Sequence, residues 1–132
     1  MISQNRINAD ELEFADAQSF YNGVPFTGVG FRVYPNLRLE EEIPYKDGYP
    51  DGVCREWFAN GQMKAEWFAI HGRAIGKVKQ WHQNGKLKSV GDYEHGVELK
   101  YDEWSDGGTL LVSRTIDAGS ELYKYLQHMR TK

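Results

Sequence analysis

The sequence predicts an all-β, mainly antiparallel protein, built of stacked β-hairpins of one recurring unit. The hairpins form an elongated twisted single sheet, ended by a short C-terminal α-helix. Three observations predict this. Glycines recur at Gly28, Gly52 and Gly76 and again at Gly48, Gly72 and Gly96, two series with one step of 24 residues. Three further series keep that step: Asn36, Asn60 and Asn84; Leu39, Met63 and Leu87; Val33, Trp57 and Trp81. Asn60-Gly61 and Asn84-Gly85 lie between aromatic and β-branched runs, where Asn-Gly supplies the two positive-φ residues of a tight hairpin turn. A period of this length marks an array of supersecondary units that bury their surfaces by stacking.

Taken in order, residues 1–23 form an N-terminal cap, in which 7–21 alternate weakly in polarity and predict one or two strands. Repeats follow at 24–46, 49–72, 73–96 and 97–116, all within one domain spanning 1–132. The first carries Leu37 where the next two have the turn glycine. A side chain with a Cβ is costly in the left-handed region, so a turn of another type or length is expected there. In the second repeat, a two-residue turn pairs Phe58 with Met63, Trp57 with Lys64 and Arg55 with Glu66. Alternation then places Cys54, Phe58, Met63 and Trp67 on one face, and Arg55, Trp57, Lys64, Glu66 and Phe68 on the other. In the third repeat Val78, His82 and Leu87 fall on the first face, and Lys79, Trp81 and Lys88 on the second. The fourth repeat is one residue short and aligns Trp104 with Trp81 and Leu110 with Leu87, with Gly107-Gly108 at its turn. Residues 117–130 read as a helix capped by Ser120 or Asp117, with Leu122, Leu126 and Met129 in one stripe.

Composition excludes several classes. The net charge is −3 and both signs are interspersed, which argues against a general nucleic-acid or anionic-membrane surface. The lone Cys54 cannot form an internal disulfide, and the first residues lack the basic and apolar regions of a signal peptide, so a cytoplasmic location is expected. No apolar run approaches the ~20 residues of a membrane span.

Catalysis needs titratable groups that converge, and the sequence shows no such set. His71, His82, His95 and His128 lack metal-ligand spacing with Cys54, and three of the four sit at or beside expected turns. Cys54 alternates onto the apolar face, where a thiol acts as a small hydrophobe. The glycines belong to hairpins, so no phosphate-cradling loop can be drawn. No enzyme activity, metal or cofactor is therefore expected. Two features point to a partner instead. Glu40, Glu41 and Glu42 form the strongest charge run, with Asp102, Glu103 and Asp106 a second; they read as a solvated edge that discourages strand pairing, and the alternative is contact with a basic partner. Trp57, Trp81 and Trp104 line up with Arg55 and Lys79 on one side. The alternative there is packing between hairpins, but aromatic and arginine side chains are also the commonest interface anchors.

The recurring G-x-x-x-x-W-[FH]-x-N-G-x-[LM]-K, read at 52–64 and 76–88, resembles the variant MORN repeat, a β-hairpin module that stacks into a twisted sheet. With "YNGVPFTGVGFRVYPN" (21–36) ahead of it, the chain resembles the YwqK-type antitoxins, a family similar to immunity proteins encoded beside polymorphic toxins. That resemblance implies a bacterial, non-enzymatic protein that neutralises a cognate toxin, a nuclease or other cytoplasm-acting effector, by covering its active or substrate site. The charge balance predicts no direct binding to nucleic acid or membrane, and a monomer is expected. The partner-binding residues expected on this reading are Glu40, Glu42, Arg55, Trp57, Lys79, Trp81, Asp102 and Trp104. The alternative is a non-enzymatic scaffold that binds a peptide or a lipid headgroup.

Overall fold

A computed structural model describes residues 5–132, so the first four residues of the expected cap lie outside the described residues. The cap consists of β1 (Arg6–Asn8), a single 3-10 turn at Ala9–Glu11, and a three-stranded meander of β2 (Glu13–Ala15), β3 (Gln18–Tyr21) and β4 (Val24–Pro25). Four hairpins follow: β5 (Gly28–Val33) with β6 (Leu39–Lys46); β8 (Gly52–Trp57) with β9 (Met63–Ile70), after the two-residue β7 (Tyr49–Pro50); β10 (Arg73–Trp81) with β11 (Leu87–Glu94); and β12 (Val97–Trp104) with β13 (Leu110–Thr115). The chain ends in α1 (Glu121–Arg130).

The main sheet has the order β1-β5-β6-β8-β9-β10-β11-β12-β13, with β7 paired to β6. Its pairs are antiparallel except β1 with β5. The order does not close on itself, so the molecule is an open ribbon and not a barrel. The meander is a second, smaller sheet where the sequence led us to expect one or two strands.

The turns depart from expectation in an orderly way. At the repeat loops the expected two-residue turn is replaced by a three-residue one. Gly61 N donates to Phe58 O (2.9 Å) and Phe58 N to Gln62 O (2.8 Å), with Gly61 at φ 89°. This is a type I turn closed by one left-handed residue, the three-residue alternative to the Asn-Gly hairpin. His82 with Gly85, Ser105 with Gly108 and Tyr34 with Leu37 repeat the geometry, so the first loop matches the others and Leu37 adopts φ 68°. The asparagine stabilises the loop differently from expectation: Oδ1 of Asn36, Asn60 and Asn84 accepts the amide two residues on, at 3.0, 2.9 and 2.9 Å. Two-residue turns with positive φ at both positions occur at the opposite edge, at Asp47-Gly48, His71-Gly72 and His95-Gly96.

Each hairpin also carries a one-residue bulge just after its loop. Trp57 pairs with Met63 but Glu56 pairs with Ala65, which leaves Lys64 extra. Glu40, Lys88 and Leu111 are extra in the same way. The bulge moves Met63 and Leu87 to the tryptophan side, so the face expected for these two residues is corrected.

Directly paired residues share a side, and this defines an inner and an outer face. The inner face holds the core: Ile43, Cys54 and Ala69 are buried, with Tyr45 and Trp67 against them. Over its first third lies the meander, where the Phe26 ring is 5.7 Å from that of Tyr45. Gly48 joins the two sheets, donating to Phe26 O (2.7 Å) and accepting from Ser19 N (2.8 Å). A Cβ at Gly48 would stand 2.7 Å from Ser19 O, so only glycine permits this approach. Ser120 caps α1, accepting from Tyr123 N (3.1 Å) through Oγ. Of the expected stripe, Leu126 is 0% exposed, whereas Leu122 is 61% exposed and turns away. Arg130 pairs with Glu94 (2.6 Å) and Arg73 donates to Tyr125 Oη (3.3 Å), which fixes the helix beside the two-residue turns.

Candidate interaction surface

The outer face presents two rows across the sheet. The first follows the register Phe31, Glu42, Arg55, Glu66, Lys79, Val90, Asp102 and Ser113. Its charges alternate, and most are engaged: Glu42 with Arg6 of β1 (2.7 Å), Arg55 with Glu66 (2.9 Å), and Asp102 accepting from Ser113 Oγ (2.6 Å), while Lys79 forms no ion pair among the described residues. The second row is Val33, Trp57, Trp81 and Trp104, each paired with Leu39, Met63, Leu87 or Leu110. Seven of the eight sequence-predicted contact residues thus fall on this face. The eighth, Glu40, occupies the bulge of the first hairpin and falls in neither outer row.

Across the inner face runs a polar row: Arg32, Glu41, Glu56, Ala65, Gln80, Ser89, Glu103 and Val112. Glu41 binds Arg32 (2.9 Å), which also reaches Asp10 (2.7 Å). Glu56 stands directly opposite Glu41. Burial, and after it the neighbouring Glu41 and Glu40, holds the Glu56 carboxyl above the usual carboxylate range, against the opposing influence of Lys64. Ser89 Oγ donates to Gln80 Oε1 (3.0 Å).

Beyond the meander three cavities join into a trough that runs from the loop edge onto the inner face; Trp81 of the outer row borders the two at the loop edge, and only the third is lined wholly by inner-face residues. The outermost, about 410 Å³, lies among the repeat loops between Phe58, Trp81, His82, Asn84, Lys88 and Asp106. It shares Phe58, Trp81 and Lys88 with a slot of about 100 Å³ that Lys64 and Gln80 complete. Gln80 also borders the third cavity, about 200 Å³, with Ser89, Tyr93, Glu98, Tyr101 and Arg114. Gly91 takes the row position that Trp67 fills one repeat earlier, and the Tyr93 ring lies over it, 2.7 Å from where a Cβ would stand. The third cavity has ordered walls. Arg114 chelates Glu98 through two bonds of 2.8 Å and stacks 4.3 Å over the Tyr101 ring, and Tyr101 Oη donates to Glu103 (2.6 Å). Arg114 pulls the Glu98 carboxyl down, and the Glu103 bond raises the Tyr101 phenol.

The loop rim is tied between the first and second repeats and between the third and fourth. Tyr34 Oη donates to Trp57 O (2.7 Å), and His82 Nε2 lies 2.9 Å from Trp104 O, which as a carbonyl can only accept. His82 is therefore an inter-repeat tie and not a freely solvated turn histidine. Asn36 and Asn84 each donate to the following loop, at Ala59 O and Asp106 O (3.0 Å each). Sequence reasoning missed Phe58, Lys64, Gln80 and Lys88 as a group. The signal that could have found them is the lysine closing each repeat motif, at 64 and 88, on the step of 24. Among the described residues no three His, Cys, Asp or Glu side chains gather as a metal site, and no helix is long and apolar enough to cross a membrane.

Four hairpins in one continuous register, with loop ties between the first two and between the last two, define a repeat protein with an open trough. The model of the MORN repeat variant matches residues 50–69 and 75–95, the second and third hairpins. The chain is also 33% identical over 118 residues to Immunity protein YwqK of Bacillus subtilis (strain 168), which spans 89% of this chain and 77% of that protein. It belongs to the YwqK-type family of variant MORN-repeat proteins. No solved structure matches it.

Proposed function

We propose that this chain is an immunity protein of bacterial origin that acts in the cytoplasm and neutralises one cognate toxin by binding it and covering its active or substrate site. The observation that carries this reading is the similarity to an immunity protein along 89% of the chain, which includes all four hairpins. The architecture suits the task. An open ribbon exposes two faces and two rims per unit mass, enough for a patch of about 800 Å² per partner. Charge pairs already made on the outer face must be broken or rebuilt to serve a partner, whereas the trough offers unfilled volume beside aromatic side chains. We assign the partner to the trough side; the outer rows through Glu42, Arg55, Trp57, Lys79, Asp102 and Trp104 are the competing surface, and Trp81 borders both.

The test is co-expression with the product of the adjacent gene. Growth arrest by that product alone, relieved when this chain is present, together with co-elution of the two on gel filtration, is the expected outcome. A harmless neighbour, or unrelieved arrest without a complex, contradicts the proposal.

A further inference from the structure

The bulge positions carry a charge order along the trough: Glu40, Lys64, Lys88 and then Leu111, with Asp106 at the far rim. The two acidic runs that drew attention in the sequence are largely engaged within the molecule: Glu41 with Arg32, Glu42 with Arg6, Asp102 with Ser113 and Lys100, and Glu103 with Tyr101. Lys64 and Lys88, by contrast, form no ion pair among the described residues, and both are exposed. They line one slot of about 100 Å³ with Phe58, Gln80 and Trp81. Lys64 Nζ sits 5.7 Å from the Phe58 ring centroid, and that cation–π contact holds it at the slot. The volume equals about three waters. That volume is of the size of one carboxylate side chain, and its lining combines two lysines and an amide with two aromatic rings.

Resting on the immunity reading, we propose that the partner docks an acidic segment in this trough, with an aspartate or glutamate seated between Lys64 and Lys88. The surroundings select a short acidic patch over a polyanion. Glu56, Glu41 and Glu40 lie on one side of the lysines, and Glu103 and Asp106 on the other. A nucleic-acid strand running along the trough would meet carboxylates at both ends, whereas an acidic side chain bordered by basic ones meets complementary charge throughout. The toxin face that is recognised is therefore locally acidic, opposite in sign to the basic partner that the acidic runs of the sequence would suit.

The test measures binding of the adjacent gene's product by calorimetry to three forms of this chain: the wild type, Lys64→Glu with Lys88→Glu, and Lys79→Glu on the outer face. Both lysines of the slot are exposed, and a thermal melt of the double variant that overlays the wild type shows that its fold is retained. The proposal expects a loss of about 100-fold or more for the double variant, a change within about threefold for Lys79→Glu, and wild-type affinity that falls with added salt. Unchanged binding by the double variant overturns the acidic-segment proposal and leaves the immunity reading in place. A wild type that binds nothing removes both. A single-stranded oligonucleotide that binds the wild type and is lost with the double variant assigns the slot to phosphate and also overturns the proposal.

Discussion

Leu37 shows what the repeat demands of individual residues. Its side chain is 81% exposed and contributes little packing, yet its backbone sits at φ 68°, where glycine serves the second, third and fourth loops. The sequence led us to expect a different turn here because a Cβ in this region costs about 1 kcal/mol. The loop hydrogen bonds, the Asn36 side chain and stacking on the next loop together outweigh that strain. Leu37→Gly is expected to raise stability by about 0.5–1 kcal/mol, read as a higher urea midpoint with an unchanged slope; a lower midpoint contradicts it. Glu56 gives the second test at this scale. Its folded pKa lies above the unfolded one, so the native state binds this proton more tightly and the group's contribution falls as pH rises through that window. Glu94 and Glu98, held down by Arg130 and Arg114, act in the opposite sense and lose their contribution as pH falls. Removing the like-charge pair with Glu41 by Glu56→Gln should stabilise the protein by about 0.2–1 kcal/mol at pH 7. Urea titrations at neutral and acid pH check this, because the gain must shrink once carboxylates are protonated. Cys54 requires no functional role: it is 0% exposed, and burial pushes its thiol up to about 12, far from a reactive thiolate.

At the scale of elements, the step of 24 made the hairpins legible, because glycine, asparagine and tryptophan each mark a fixed place in the unit. Asn-Gly did not reveal the turn type. The same dipeptide serves a two-residue turn or the end of a three-residue one, and loop-to-loop packing selects the latter. The bulge was invisible for a related reason: it depends on where pairing resumes after the loop and not on residue type. One extra residue there moved Met63 and Leu87 across the sheet and gathered Lys64 and Lys88 at the slot, so the trough could not be read from alternation. The helix was legible from Ser120 and the leucine spacing, but which leucine docks is decided by the strand ends it meets. Leu126→Ala should cost about 2–4 kcal/mol by leaving a cavity at the only fully buried side chain of α1. Denaturant melts measure that cost, and early proteolytic loss of 117–132 is expected with it. A variant as stable as the wild type contradicts the packing described.

For the whole molecule, the consequence of stacking is an open ribbon with an N-terminal edge covered by a short parallel strand and a meander. At the other end, β13 has no further strand paired to it among the described residues. The ribbon buries few large side chains; its largest fully buried ones are Leu126, Cys54 and Ser89. Register, loop ties and charge rows therefore carry much of the specificity of the fold, and the same economy leaves an inner trough that a compact core would fill. On the proposed immunity reading the chain acts through what it covers, and the stoichiometry of covering is measurable. Titrating the adjacent gene's purified product with this chain, and following the product's own toxic activity, tests that claim most directly. Activity that falls linearly and reaches its floor at one chain per toxin is the predicted result; full activity in the presence of excess chain would contradict it.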